Sequence, residues 1–389
     1  MLFLYKRAIA KPHEESWIPQ ITTIHENSSS TKFTMSPSND NKSLRELKIK
    51  WPKPNISVTV KMNELNPELV DHLWNTLPYR ALQTHALVTG DHLYHLVPSE
   101  PLLVSQHFAF LPFYHEHPET EFKQYTNPQF KCPDRANEPD GTVFLSKFQH
   151  LAIKYGQVTE HHPAAPCGNV NPEDLEKLRW LGKEVWKSQL ETKEPIEVIV
   201  WDASRPDPKP EDLSLRLQRT GVTKEVQNLV REIHNEMDKS WSGISNNINT
   251  IHCGQAPDHP GSKNSYFAAM LFSNSEVRTI GYYVLDNILK IAATHSEFNL
   301  QHLIALYKEL VSVPAEFLGY VGTEFLRDSH RKIDELITLK VESNMNQEEA
   351  REDLLAMVSV LAQYVNLLNA QNLLLFPWKH TSEYTIPSD

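Results

Sequence analysis

The sequence predicts an α+β protein in two halves, a small antiparallel β-barrel followed by an all-α helical bundle. Two observations carry that expectation. Over residues 46–205 apolar side chains alternate mostly at period two, as half-buried strands require, and over 206–380 they recur at steps of three and four. Between the two regimes lies ASRPDPKPED, residues 203–212, whose prolines favour a stiff, extended linker. With 389 residues and 40% hydrophobic side chains, the chain is long enough for two or three domains with ordinary cores.

The first segment, residues 1–45, reads as a flexible leader, because ENSSSTKFTMSPSNDNKS cannot bury enough apolar surface to offset its ordering entropy. The barrel region, 46–205, offers NISVTVKM, the hairpin LPYRALQTHALVTGDHLYHLVPS (Leu77–Ser99), HFAFLPFYH, TVFLSKFQHLAIKY and EPIEVIVW as strands. Asn66-Pro67-Glu68 and Asn171-Pro172-Glu173-Asp174 each open a helix with an N-cap Asn, a proline at the first helical position and acids in the first turn. In the second helix Leu175, Leu178, Leu181, Val185 and Trp186 share one face, so both helices are expected to cover the ends of a barrel.

In the bundle, Ile280, Tyr283, Val284, Asn287, Ile288 and Ile291 form one stripe. Leu300, Leu303, Ile304, Tyr307, Leu310 and Val311 form a second, and Leu354, Leu355, Val358, Leu361, Ala362 and Val365 a third. Residues 381–389 are a tail.

The hairpin concentrates titratable groups. A two-residue turn at Gly90-Asp91 would pair Thr89 with His92 and His85 with Leu96. One face then gathers His85, Leu87, Thr89, His92, Tyr94 and Leu96, and the other Thr84, Ala86, Val88, Leu93, His95 and Val97. The second face is the more apolar and is expected to line the interior; the first suits a substrate-facing surface or a half-solvated one equally well.

Composition excludes several function classes. A net charge of −11 gives no reason to expect nucleic-acid or anionic-membrane partners, so small molecules are the expected ones. Cys132, Cys167 and Cys253 are odd in number and widely spaced, which fits a reducing, cytoplasmic setting. The N-terminal apolar run is too short for a signal segment, and nowhere do about 18 apolar residues run together. With 12 glycines, no G-x-G and no phosphate-cradling loop, a nicotinamide-dependent reductase is not expected.

The hairpin, GTVFLSKFQHLAIKYGQVTEHH and NPEDLEKLRWLGKEVWKSQLETKEPIEVIVW resemble successive core segments of the cyclophilin-like small barrels. That barrel followed by a helical bundle resembles the cucumopine and mikimopine synthases, opine-forming enzymes. The resemblance spans roughly residues 46–380 and implies a redox-neutral Pictet–Spengler condensation of L-histidine with 2-oxoglutarate, with no cofactor.

Such chemistry needs general acids and bases near neutral pH, and cationic partners for three substrate carboxylates. His85 and Tyr94 are the first candidates for proton transfer, and Glu160 with His161, in the loop TEHHP, the second. Arg80 and Lys147 are the expected anchors, with His92, His150 and Tyr155 as further substrate contacts.

Two rivals stand beside this reading. His115-x-His117 followed by Glu121 has cupin-like metal spacing, although Pro118 interrupts the strand. His161, His162 and Cys167 also resemble ligands but lack a fourth. A non-catalytic cyclophilin-like binder is the other rival, since fold does not fix function. The apolar stripes also allow a homo-oligomer formed through the bundle.

Overall fold

The computed structural model describes residues 45–100, 130–256, 267–342 and 346–376. The expected leader, the strand at 107–115 with His115, His117 and Glu121, and the tail all lie outside them.

Eight antiparallel strands close into a barrel in the order β1-β2-β7-β5-β6-β4-β3-β8. They are β1 Glu46–Trp51, β2 Ile56–Met62, β3 Tyr79–His85, β4 Gly90–Leu96, β5 Thr142–Leu145, β6 His150–Val158, β7 Pro166–Val170 and β8 Ile196–Asp202. Alternation sends Leu47, Ile49, Trp51, Val58, Val60, Leu93, Leu151, Ile153, Val198 and Val200 inward, where each is fully buried. Two polar pairs enter with them. Trp51 Nε1 donates to Gln83 Oε1 at 2.9 Å, and the Tyr79 hydroxyl bonds His95 Nε2 at 2.9 Å.

Helices α1 (Pro67–Trp74) and α2 (Leu175–Lys187) pack on the barrel. In α2 the buried stripe is Leu178, Leu181 and Val185; Trp186, expected on it, is 36% exposed at its edge. Gly182 lies against Tyr155, and a Cβ there would stand 2.3 Å from the Tyr155 ring. Gly182→Ala is therefore expected to destabilise the barrel by about 1–3 kcal/mol, as overpacking does, which denaturant titration reads.

Three expectations for the strands are corrected. The β3–β4 hairpin pairs Gln83 with His95, Thr84 with Tyr94 and His85 with Leu93, three residues away from the expected register. The loop is Ala86–Thr89, leaving Val88 85% exposed rather than inside. Gly90 is not the turn glycine: with φ of 99° it lets β4 approach β6, its absent Cβ standing 2.4 Å from the Gln157 carbonyl. Lys147, expected in a strand, lies in the turn Ser146–Gln149 between β5 and β6, where Gln149 takes φ of 58°.

The proline-rich 203–212 segment is tied down, Lys50 Nζ meeting Asp207 Oδ2 at 2.9 Å. Beyond it follow α3 (Lys224–Ser240), α4 (Asn246–His252), α5 (Phe267–Arg278), a π-helical Thr279–Leu285, α6 (Asp286–Thr294), α7 (Leu300–Val321), α8 (Glu324–Glu342) and α9 (Gln347–Leu375). Helix α9 is central, with Leu354, Val358, Leu361, Ala362 and Val365 buried among the other helices. The π turn displaces the expected stripe after Ile280. Tyr282, Leu285 and Leu289 go inside, while Tyr283, Val284, Asn287 and Ile291 line an outer groove. The outer face of β3 and β4 packs on α9, and Leu96 joins the bundle core.

Candidate active site

The residues expected to act together fall into separate groups: His85 with Tyr155 and, within electrostatic reach, His92; Tyr94 with His150; and Arg80, Lys147 and the Glu160–His161 loop apart from them. His85 sits at the inner end of β3. Its Nε2 accepts from the Tyr155 hydroxyl at 2.6 Å, its Nδ1 meets the Ala86 carbonyl at 2.7 Å, and its ring lies 4.6 Å from that of Trp186. Burial lowers the His85 pKa, and burial with the nearby Asp91 charge raises that of Tyr155. Because the register pairs His85 with Leu93, it does not share a face with Tyr94.

Tyr94 and His150 meet on the outer wall, ring centroids 4.9 Å apart, and His150 Nε2 bonds the Tyr282 hydroxyl of the bundle at 2.7 Å. Burial, helped by the Arg278 charge, pushes His150 down to about 3, so it is a neutral hydrogen-bonding group. His92 stands with its ring edge-on to Phe144; burial and the Arg135 and Lys154 charges hold it at about 3. Arg80 pairs with Asp238 at 3.8 Å. Lys147 lies over the Phe148 ring at 4.8 Å.

In the TEHHP loop, Glu160 pairs with Arg135, and His161 Nδ1 meets Asp134 Oδ2 at 2.7 Å in the open. His161 and His162 do not assemble with Cys167, whose buried thiol donates to the Val143 carbonyl. Among the described residues no group of three or more His, Cys, Asp or Glu side chains is arranged to hold a metal. Lys154, absent from the expected set, donates its ammonium to the carbonyls of Ala136 and Glu138 and so pins the chain leading into β5.

The groups that do converge on open space lie where barrel meets bundle. A cavity of about 330 Å³ is bounded by the end of α1 (His72, Asn75), the start of β3 (Tyr79), the exit of β4 (Ser99, Glu100) and residues 213–218. His72 Nε2, Ser99 Oγ and Gln218 Oε1 are buried and have no hydrogen-bond partner among the described residues, the His72 ring being otherwise bonded to the Glu100 backbone. Three such atoms around one cavity offer a polar ligand hydrogen-bonding partners. Its floor is Tyr79, backed by a neutral His95 that burial holds at about 3. Burial lowers His72 as well, so that ring also enters neutral.

The far wall is the strap that leads from the proline-rich segment. Leu215 N–H donates to Asp238 Oδ1 at 3.1 Å, Arg216 to the Leu77 carbonyl at 3.2 Å and Gln218 to the Pro98 carbonyl at 3.3 Å. Asp238 thus ties Arg80 of β3 and the strap to α3. Glu100 also lines a second cavity of about 400 Å³, walled by Leu289, Ala292 and Leu355 and carrying Arg219, Glu348, Arg351, Glu352 and Ser359. One carboxylate therefore faces two adjoining lobes, a barrel lobe and a bundle lobe. Apart from Arg80 close by, none of the expected site residues lines them. The sequence signal for these residues was slight: Ser99-Glu100 ends the hairpin like any polar turn, and 213–219 looks like linker.

Residues 226–375 match the family model described as the cucumopine synthase C-terminal helical bundle domain. The solved structure of McbB in complex with tryptophan is similar over 87% of this chain and 100% of that one, with 38% identity and a TM-score of 0.73. No curated protein matches. Barrel and bundle, together with these two likenesses, mark a small-molecule enzyme of the barrel-and-bundle type. The chain belongs to the cucumopine synthase family.

Proposed function

We propose that this protein condenses L-histidine with 2-oxoglutarate in the cytoplasm, by a redox-neutral Pictet–Spengler route, to an opine of the cucumopine or mikimopine kind. The carrying observation is the cleft, where three buried polar atoms unpartnered among the described residues lie beside an exposed guanidinium (Arg216) and an exposed carboxylate (Glu100). The amine must lose a proton to attack the ketone, and the carbinolamine must gain one to expel water. After the imidazole carbon closes the ring, that carbon must lose its proton.

Glu100, common to both lobes, is placed to take the first proton and the last. Arg216 and the Ser99 hydroxyl offer the donors that substrate carboxylates need. The neutral environment around Tyr79 and His95 excludes charge from the floor and strengthens those contacts. McbB, which carries tryptophan in its structure, supports an aromatic amino acid as one substrate class.

The test is incubation of the purified protein with both substrates, with chelator and without NAD(P)H. Expected is a product of the summed mass less one water, seen by mass spectrometry. Unconsumed substrates would overturn the reading; rescue by added metal would favour the cupin alternative, and binding without turnover the non-catalytic one.

The reading includes a homo-oligomer formed through the bundle. Along α7, Leu310, Val313, Phe317 and Tyr320 follow at steps of three and four and stay 46%, 77%, 37% and 58% exposed, with Phe272 of α5 against Phe317. A helix face this apolar is unusual on a monomer. Val313→Asp is expected to halve the particle mass measured by light scattering; an unchanged mass would sink this part.

A further inference from the structure

We infer that the two lobes divide the substrates, the barrel lobe taking the carboxylates of the oxo acid and the bundle lobe the ammonium of the amino acid. This rests on the proposed condensation and assigns its geometry.

The division rests on charge. Setting aside the shared Glu100, the barrel lobe carries one cation, Arg216, and no acid, with neutral His72 and the Ser99 hydroxyl beside it. The Arg216 guanidinium also donates to the Leu77 carbonyl, so it is partly engaged, as the cations of the bundle lobe are. Arg219 is paired with Glu352 at 2.7 Å, and Arg351 donates to the carbonyls of Phe298 at 2.7 Å and Ala292 at 2.8 Å. Glu348, exposed at the rim in the first turn of α9, is the remaining acid there. With its two arginines offset by Glu348 and Glu352, the bundle lobe offers a dianion no excess positive charge, whereas an ammonium there meets Glu348 and Glu100.

The apolar wall of Leu289, Ala292 and Leu355 then faces the amino-acid side chain. Bound in this way, amine and ketone approach each other from opposite sides of Glu100, the one group that both lobes share. Close, oriented placement of two reactants is what a condensing site must supply.

The test is a substrate-resolved KM split with Arg216→Gln and Glu348→Gln, both exposed positions. Arg216→Gln is expected to raise KM for 2-oxoglutarate about tenfold and leave that for histidine within about twofold, the effect of one lost charge-assisted contact. Glu348→Gln is expected to do the converse. Crossed effects, or equal rises for both substrates in either variant, would overturn the division. Should the parent protein not condense these substrates, the proposed function falls. Equilibrium dialysis of labelled histidine and 2-oxoglutarate separately against parent and variants then decides the lobes: selective weakening sustains the division, and its absence refutes it.

Discussion

Glu100→Gln is expected to lower kcat/KM for the condensation by about 10²–10⁴-fold, the usual worth of a positioned general base. Glutamine keeps the size and one acceptor oxygen but cannot take a proton at working pH. Glu100 is exposed at the rim of both lobes, with no ion pair among the described residues, so folding does not depend on its charge. The thermal midpoint should therefore stay within about 2 °C, the shift expected of a surface change of ±0.5 kcal/mol or less. Equilibrium binding of 2-oxoglutarate should persist within a few-fold, while that of histidine weakens through the loss of one ammonium partner. A variant that retains more than about a tenth of parental activity would remove Glu100 from the mechanism.

The largest stability effect is expected at Asp286, the first residue of α6. It is 8% exposed, and among the described residues its carboxylate accepts from Asn366 Nδ2 alone, at 3.2 and 3.4 Å. Burial pushes its pKa from 3.8 up to about 7. A raised carboxyl pKa means that the folded state keeps the proton after the unfolded chain has lost it. The associated stability is fully present below about pH 4 and is lost as pH rises to about 7, a difference of about 4 kcal/mol.

Asp286→Asn removes the charge, and the introduced amide can donate to Asn366 Oδ1, which has no partner. The variant should thus be more stable than its parent by about 3–4 kcal/mol at pH 8 and by almost nothing at pH 4. Reading the difference at each pH cancels the opposite trend of His92, His95 and His150. Those rings, held neutral near 3, cost stability as pH falls below 6.5. Chemical denaturation at the two pH values decides it, and equal differences at both would refute the assignment.

Particular elements show what could be read early. Period-two alternation in NISVTVKM and EPIEVIVW identified β2 and β8, because a strand with one face in a core has little freedom over which residues point inward. The Asn-Pro-Glu openings located α1 and α2 for an equally local reason, capping. Strands β1 and β7 were not picked out, since ELKIKW is short and PCGNV carries a proline and a glycine.

The hairpin register was lost for a different reason. Gly90-Asp91 is a strong turn signal locally, yet the glycine is consumed by the close approach of β6, a contact that no hairpin-level rule contains. The slip moved His85 off the face of Tyr94. The stripe at 280–291 was displaced by a π turn, which shifts a helix face without any break in hydrophobicity.

The sequence by itself determined the two-part architecture, the barrel-covering helices and the membership of most core positions, because each follows from periodicity, caps and composition over a few residues. Only the tertiary structure decided where the cleft lies. His72, Tyr79, Ser99, Glu100, Gln218 and Arg219 come from α1, β3, the exit of β4 and the strap. Their convergence depends on how barrel and bundle dock, an arrangement set by long-range packing that leaves no periodic trace in the chain.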